Sequence, residues 1–343
     1  MNCNAQHAFV VIRPAYVRLF TISFHMTCYH VNQVTTGRSY IGNYTWILTF
    51  RRIVDFYLPC IAFSLGFIGN TFVFIVMTKR IQKRQSVVMS YHFRALALGD
   101  NGVLFFGFGQ RLLVNNLPDV WRFYGDFMCK ELYYSLFVFL GVHVWNVIII
   151  SIDRFVAVCL PLKAASWCTV KKARACYAFN ICFHLVFSLV KLWKYYQRYA
   201  NPVCVNPTEF PPWLEGFILM FFYVIVNYAP PIIVLILNVS ILIKFRQQSK
   251  DIHNLKYGGI TEKNETQERH LTAMMMVVAF AFIFCLGCYP LAEIVWRYFI
   301  PKVAAAYPAL MVLSILICHF ILTLNPCLNF YIYLLVIGYV IPH

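Results

Sequence analysis

The chain has 343 residues, of which 61% are hydrophobic and 12% are charged. A soluble domain carries about 25% charged residues, so this composition excludes an ordinary water-soluble globular protein. The formal net charge of +16 favours an anionic partner, either nucleic acid or a lipid surface, and the position of the cations along the chain distinguishes the two.

The first 52 residues are predicted to form an extracellular N-terminal tail. Within this tail, residues 8–29 are moderately apolar but contain Arg13 and Pro14, which fits neither a signal peptide nor a spanning helix. Asn43 opens an Asn-Tyr-Thr sequon. We expect glycosylation of Asn43, because the tail is predicted to face the outside of the cell.

Seven apolar runs follow, and each is long enough to cross a bilayer, which takes about 20 helical residues. These runs, spans 1 to 7, lie at 53–78, 87–114, 127–160, 169–195, 214–246, 267–299 and 304–340. The connections between them are short and polar and leave no room for a second globular domain. The prediction is an all-α membrane protein, a seven-transmembrane helix bundle over residues 53–340.

Lys and Arg are distributed unequally among the connections between spans. Sixteen lie in or beside the connections after spans 1, 3 and 5, whereas eight lie after spans 2, 4 and 6. Cytoplasmic loops retain an excess of these residues, so the N-terminus is predicted to be extracellular. The cations are then expected to face anionic membrane lipids, and nucleic acid is not an expected partner.

Apart from those in the N-terminal tail, two of the thirteen cysteines are predicted to lie on the outer side of the membrane. Cys129 begins span 3, and Cys204 lies in the connection between spans 4 and 5. Most of the other cysteines lie inside apolar spans, where free cysteine behaves as a small hydrophobe. Because disulfides form in extracellular compartments, a disulfide between Cys129 and Cys204 is expected to hold this connection over the outer end of the bundle.

Ionisable side chains within apolar runs indicate a functional site, since each costs about 2.5–3.5 kcal/mol at the centre of a bilayer. Asp153 and Arg154 follow the apolar run 136–152, and Asp100 lies in the middle of span 2. Arg154 is expected to pair with Asp153 through its planar guanidinium. An ordinary interfacial ion pair, worth about 0–1 kcal/mol, is the plainer interpretation.

Six features occur in order along the spans. They are Gly69-Asn70, Leu96–Asp100, Asp153-Arg154-Phe155 at 25 residues after Cys129, Pro230, Pro290, and an Asn-rich and aromatic stretch in span 7. Together they resemble rhodopsin-family (class A) G-protein-coupled receptors. Three further stretches, Trp121–Gly125, Pro161–Ala164 and Asn329–Tyr333, are similar to invertebrate neuropeptide receptors of the FMRFamide-receptor type.

The resemblance implies a plasma-membrane receptor that binds an extracellular ligand and activates a heterotrimeric G protein. In such a receptor Asp153, Arg154 and Phe155 would form the G-protein switch. Pro290 would kink span 6 and provide a hinge. Cys288 occupies the place where family members commonly carry Trp, so Phe284 is expected to transmit the movement of the ligand.

Span 7 can be aligned with the family in two registers. The stretch from Asn325 to Asn329 begins as the family's Asn-Pro-x-x-Tyr but ends in Asn, whereas the stretch from Asn329 to Tyr333 keeps the Asn and the Tyr. We favour the second register, because it places Tyr333 one helical turn from Asn329. Asn329 and Tyr333 are therefore predicted to take part in activation.

Asp100 can remain ionised inside the bundle only if polar groups or a cation surround it. The candidates are Asn70, His143, Asn325 and Asn329, and the first three with Asp100 resemble the family's sodium-binding pocket. His143 occupies a place where the family usually has Ser. It either fills the pocket and pairs with Asp100 or is a buried histidine with an ordinary hydrogen bond. No catalytic metal or other cofactor is predicted.

A peptide is the expected class of ligand. Leu136 lies seven residues after Cys129, where amine receptors carry Asp, and residues 303–343 lack the Lys of opsins. Aromatic and acidic side chains could receive an amidated peptide, although aromatic residues at membrane interfaces are also ordinary anchors. The predicted pocket residues are Tyr133, Leu136, Trp213, Tyr289, Glu293 and Tyr298.

Two rival interpretations remain. The chain ends at 341–343 without the basic helix and regulatory tail expected after Tyr333, so a truncated or signalling-deficient receptor is one alternative, and the authenticity of the N-terminal tail is equally open. A small membrane transporter is less favoured, because residues 53–195 and 214–340 show no internal repeat. No catalytic motif is present in the sequence, so an enzyme is not expected.

Overall fold

A computed structural model describes most of the predicted bundle. The described residues are 53–82, 87–116, 118–194, 196–198, 201–205, 217, 220–221, 224–254, 262–295 and 308–340. The predicted tail 1–52 with Asn43, the pocket candidates Trp213 and Tyr298, and the predicted C-terminus 341–343 lie outside these residues. The domain boundaries at the two ends therefore stay predictions.

Within the described residues the chain is almost entirely helical. The helices are α1 (Leu58–Gln82), α2 (Val87–Asn116), α3 (Pro118–Cys159), α4 (Pro161–Trp167), α5 (Val170–Phe187), α6 (Leu189–Lys194), α7 (Ala229–Asn254), α8 (Glu262–Ile294) and α9 (Pro308–Val340). Two π-helical turns, Ile53–Tyr57 and Val224–Tyr228, precede α1 and α7. Spans 1, 2 and 3 correspond to α1, α2 and α3, and spans 5, 6 and 7 correspond to α7, α8 and α9.

The structure divides span 4 between α5 and α6, with Ser188 between them. Thr169 begins α5 as its N-cap, and its side chain accepts a hydrogen bond from the backbone nitrogen of Lys172. Such a bond satisfies one of the free amides of the first helical turn. Within span 5, the π-helical turn Val224–Tyr228 leads into α7, whose second residue, Pro230, cannot donate a backbone hydrogen bond.

Four of the described segments are long and apolar enough to cross a membrane by length and composition. They are Leu58–Arg80, Lys130–Cys159, Val224–Gln247 and Ala273–Ala292. Large apolar side chains such as Ile68 and Ile232 are exposed on the outer faces of these helices. This pattern is typical of helices whose solvent is lipid, where packing and hydrogen bonds rather than water exclusion hold the bundle together.

The core of the bundle surrounds α3. This helix contacts α2, α5, α7 and α8, and the fully buried side chains include Val144 on α3, Val234 on α7 and Phe282 on α8. Because α3 touches so many neighbours, polar side chains along it are brought against several helices at once. This position determines where the buried polar clusters form.

A small antiparallel hairpin connects α6 to the segment before α7. Its strands are β1 (Tyr196–Arg198) and β2 (Asn201–Val205), and Gln197 lies opposite Cys204 in the register. Both strands contact α3, the helix that also contains Cys129. The hairpin is an addition to the predicted all-helical fold. The side chains of Cys129 and Cys204 lie outside the described residues, so their disulfide stays a prediction.

Several close contacts between helices require glycine, and two of these glycines face phenylalanine rings. A methyl group added at Gly69 would overlap the ring of Phe330, and one added at Gly102 would overlap the ring of Phe139. The Phe139 ring also stacks on Phe106, with ring centroids 5.2 Å apart. The Phe139 ring therefore cannot make room without a change in the packing between helices.

We expect Gly102→Ala to destabilise the protein by about 1–3 kcal/mol, because overpacking forces side chains and backbone to shift. Gly287→Ala is the matched control, since a methyl group there would meet nothing within 4 Å. Replacing a helical Gly by Ala in open space stabilises by about 0.5–1 kcal/mol. Thermal unfolding of both variants in the same detergent tests this prediction. Equal melting temperatures would contradict it.

Candidate functional site

A cluster of polar side chains lies buried in the apolar core at Asp100, and we call it the central cluster. Its members are Asp100 on α2, His143 on α3, and Asn325 and Asn329 on α9. Asp100 is 0% exposed, and the other three are also buried. Burial of a carboxylate is tolerated only if partners compensate for the lost solvent.

Both oxygens of Asp100 have such partners. His143 Nδ1 lies 2.5 Å from Asp100 Oδ1, and Asn329 Nδ2 donates a hydrogen bond of 2.8 Å to Asp100 Oδ2. The other imidazole nitrogen, His143 Nε2, lies 2.9 Å from Asn325 Nδ2. With an amide donor facing Nε2, the ring carries its proton on Nδ1, where it faces the carboxylate.

Asn70, the fourth predicted neighbour of Asp100, contacts α9 instead. Its Nδ2 donates a hydrogen bond of 2.8 Å to the carbonyl oxygen of Pro326. Pro326 lies inside α9 and removes one backbone hydrogen bond from that helix. Asn70 therefore ties α1 to the irregular part of α9, beside the close approach of Gly69 to Phe330.

A second set of amides joins α2, α3 and α5. Asn146 Nδ2 donates to the carbonyl oxygen of Ala95 at 2.8 Å, and Asn180 Nδ2 donates to Asn146 Oδ1 at 3.0 Å and to the carbonyl oxygen of Val142 at 3.1 Å. The sequence analysis did not select Asn146 or Asn180. Both could have been found from the sequence, because each is an Asn within an otherwise apolar run, as Asn70 is.

The Asp153–Arg154 pair lies near the end of α3. Arg154 Nη2 donates a hydrogen bond of 2.7 Å to Asp153 Oδ2. Arg154 is only 6% exposed, so the pair is more protected from solvent than the interfacial ion pair of the plainer interpretation. Phe155 is partly buried.

Two residues that the sequence analysis did not select, His92 and Cys168, contact Asp153 and complete its surroundings. His92 Nε2 lies 3.3 Å from Asp153 Oδ1, and His92 Nδ1 contacts the hydroxyl of Tyr177. Cys168, in the connection before α5, places its Sγ 3.6 Å from the carbonyl oxygen of Asp153. Partial burial, together with the neighbouring Asp153, raises the pKa of the Cys168 thiol to about 11, so this thiol stays protonated at physiological pH.

The structure corrects the role predicted for Phe284. Pro290 does lie inside α8, but the Phe284 side chain is 63% exposed on the outer face of that helix, whereas Phe282 is 0% exposed. Residues two apart on a helix point in nearly opposite directions. The Phe282 ring approaches the ring of His143, with centroids 6.2 Å apart, and so it is Phe282 that connects α8 with the central cluster.

The predicted activation residues of α9 are both buried. Asn329 contacts Asp100 as described above, and Tyr333 packs edge-on against Phe93 of α2, with ring centroids 4.7 Å apart. Among the predicted pocket residues, Tyr133 and Tyr289 are buried and Leu136 is partly buried. The side chain of Glu293 lies outside the described residues, as do Trp213 and Tyr298, so the pocket stays a prediction.

Similarity to known proteins agrees with this architecture. Residues 69–333 match the family described as "7 transmembrane receptor (rhodopsin family)". The chain is 25% identical to the FMRFamide receptor of Drosophila melanogaster over 292 residues, which cover 79% of this chain and 49% of that protein. The chain thus spans about half the length of that receptor.

Two further relatives are vertebrate receptors. The chain is 25% identical to the gonadotropin-releasing hormone receptor of Trichosurus vulpecula over 65% of this chain and 71% of that protein. It is 29% identical to the cholecystokinin receptor type A of Canis lupus familiaris over 46% of this chain and 34% of that protein. These matches confirm the resemblance inferred from the motifs and the predicted seven-transmembrane fold, and the chain belongs to the rhodopsin family of seven-transmembrane receptors.

Proposed function

We propose that this receptor binds an extracellular peptide and, in response, activates a heterotrimeric G protein. The observation that carries the proposal is the Asp153–Arg154 pair near the end of α3, in which the side chains are only 10% and 8% exposed. A guanidinium that is restrained by one carboxylate can exchange that partner for another when neighbouring helices separate. As a member of its family, the chain is a multi-pass protein of the plasma membrane.

The proposed change begins at the outer side, where the N-terminus and the predicted Cys129–Cys204 disulfide would lie. Ligand binding there would favour a state in which α8 turns about Pro290. The buried Phe282 would move with α8 and alter its contact with His143. On the cytoplasmic side the same movement would open a cleft beside Arg154 for the G protein, while the cations of the inner connections face anionic lipids.

A peptide is the proposed ligand because each relative described above is named for a peptide ligand. The sequence supports this choice, since Leu136 replaces the Asp of amine receptors and no Lys follows Lys302. Tyr133 and Tyr289, two of the predicted pocket residues, are buried aromatic side chains. Aromatic walls of this kind suit a peptide with aromatic or basic side chains.

The proposal is tested with cells that express the full chain and report calcium and cyclic-nucleotide levels. FMRFamide, gonadotropin-releasing hormone and cholecystokinin peptides are applied, each as the C-terminal amide and as the free acid. We expect at least one amide to elicit a response and its free acid to be weaker. Surface labelling confirms that the chain reaches the plasma membrane. Surface expression without a response to a wider library of amidated peptides would contradict the peptide assignment.

A further inference from the structure

The carboxylate of Asp153 is held from two sides. Arg154 Nη2 donates to Oδ2 at 2.7 Å, and His92 Nε2 lies 3.3 Å from Oδ1. His92 comes from α2, a different helix, and is 1% exposed. The Asp153 side chain is only 10% exposed and has a partner at each oxygen. Its orientation is therefore fixed, because rotation about its last torsion would break one of the two contacts.

The position of His92 is itself fixed by α5. The Tyr177 hydroxyl contacts His92 Nδ1, and the two rings meet edge to face with centroids 5.6 Å apart. Tyr177 is also buried. If the hydroxyl donates to Nδ1, the imidazole carries its proton on Nε2, which is the nitrogen that faces Asp153. The chain of contacts therefore runs from Tyr177 through His92 and Asp153 to Arg154.

We propose that His92, supported by Tyr177, is a positioning residue that holds Asp153 against Arg154 and so limits signalling in the absence of ligand. This inference rests on the proposed function of Arg154 as the group that engages the G protein. Without His92, the carboxylate of Asp153 gains other orientations and Arg154 is restrained less. The populations of the resting and open states then shift toward the open state.

The test measures ligand-independent nucleotide exchange on a panel of purified heterotrimeric G proteins, with the full chain reconstituted in lipid nanodiscs. We expect His92→Phe to raise this basal rate about tenfold, since the polar contact of His92 Nε2 with the charged carboxylate is lost. Tyr177→Phe keeps the ring and removes only the hydroxyl, so it should raise the rate about threefold. Ser166→Ala, an exposed change on α4, serves as the neutral control.

Two polar substitutions separate positioning from simple packing. Gln can place an amide near the position of His Nε2, whereas Asn can place one only near the position of Nδ1. We therefore expect His92→Gln to restore much of the restraint that His92→Phe removes, and His92→Asn to restore little. Equal basal rates for the Phe, Asn and Gln variants would show that His92 only fills space, and would overturn the proposal.

A second measurement tests the contact without any G protein. Thermal unfolding of His92→Phe, Asp153→Asn and the double variant gives the coupling between the two side chains. Coupling together with a raised basal rate supports the proposal, and additive effects on stability overturn it. A different result would contradict the proposed function itself. In that result the two side chains are coupled in stability, but neither the wild type nor any variant stimulates nucleotide exchange on a G protein. A wild-type receptor that does catalyse exchange, with no change in His92→Phe, contradicts only the positioning role.

Discussion

The Arg154→Ala variant should lose ligand-stimulated nucleotide exchange almost completely while it still reaches the cell surface. Arg154 is buried and donates to Asp153, and its planar guanidinium can offer several donors to a partner in an open cleft. Charged hydrogen bonds contribute about 1.5–3 kcal/mol each, so the loss of two would weaken coupling by about a hundredfold or more. Exchange on purified G protein and surface labelling measure the two quantities.

Two variants control for charge and geometry. Arg174→Ala removes an exposed cation of α5 whose Nη2 contacts the hydroxyl of Tyr91, and it should leave exchange close to wild type. Arg154→Lys keeps the charge but not the planar fork of donors, so an intermediate rate is expected. If the Arg154→Ala variant stimulates nucleotide exchange on the G protein as fast as the wild type does, Arg154 is not the residue that engages the G protein.

The second large effect is expected at the central cluster. His143→Leu removes the imidazole that lies 2.5 Å from Asp100 Oδ1 and leaves a buried carboxylate with half of its compensation. Breaking a buried pair by removal of one partner costs about 3–5 kcal/mol. A fall in melting temperature of several degrees should follow in thermal unfolding of the purified receptor.

Removal of the charge should rescue this variant. The Asp100→Asn, His143→Leu double variant no longer buries a carboxylate that has lost its imidazole partner, so it should unfold at a higher temperature than His143→Leu alone. His143→Ser should open space beside Asp100 for a hydrated cation, and its melting temperature should then rise with sodium concentration. The wild type should respond less, because its imidazole already fills that space. A sodium response as large in wild type as in His143→Ser would contradict this account.

The sequence predicted the seven-helix class because each apolar run is long enough to cross the bilayer as a helix. A helix also satisfies its own backbone hydrogen bonds where no water is present. It also selected the residues around Asp100, since each is a polar side chain inside an apolar run. It could not determine which of them make contact: Asn70 bonds to Pro326 rather than to Asp100. Such pairings depend on how the helices are rotated against each other, and sequence spacing along one helix does not specify that rotation.

Two other differences have the same origin. Phe284 was selected by its distance from Pro290, but the direction of a side chain follows from the rotation of the whole helix, and the structure buries Phe282 instead. His92 and Tyr177 were not selected, because 85 residues separate them and neither forms a motif by itself. Only the packing of α2 and α5 against α3 brings them to Asp153.

The side-chain amides of Asn146 and Asn180 join three helices of the bundle by hydrogen bonds. They fasten α2, α3 and α5 through directional hydrogen bonds that apolar surroundings strengthen. The contact of α8 with this group at Phe282 is between aromatic rings, which can slide past each other at lower cost. A small molecule that separates α3 from α5 would therefore have to break hydrogen bonds. One that binds between α3 and α8 would instead displace an aromatic contact.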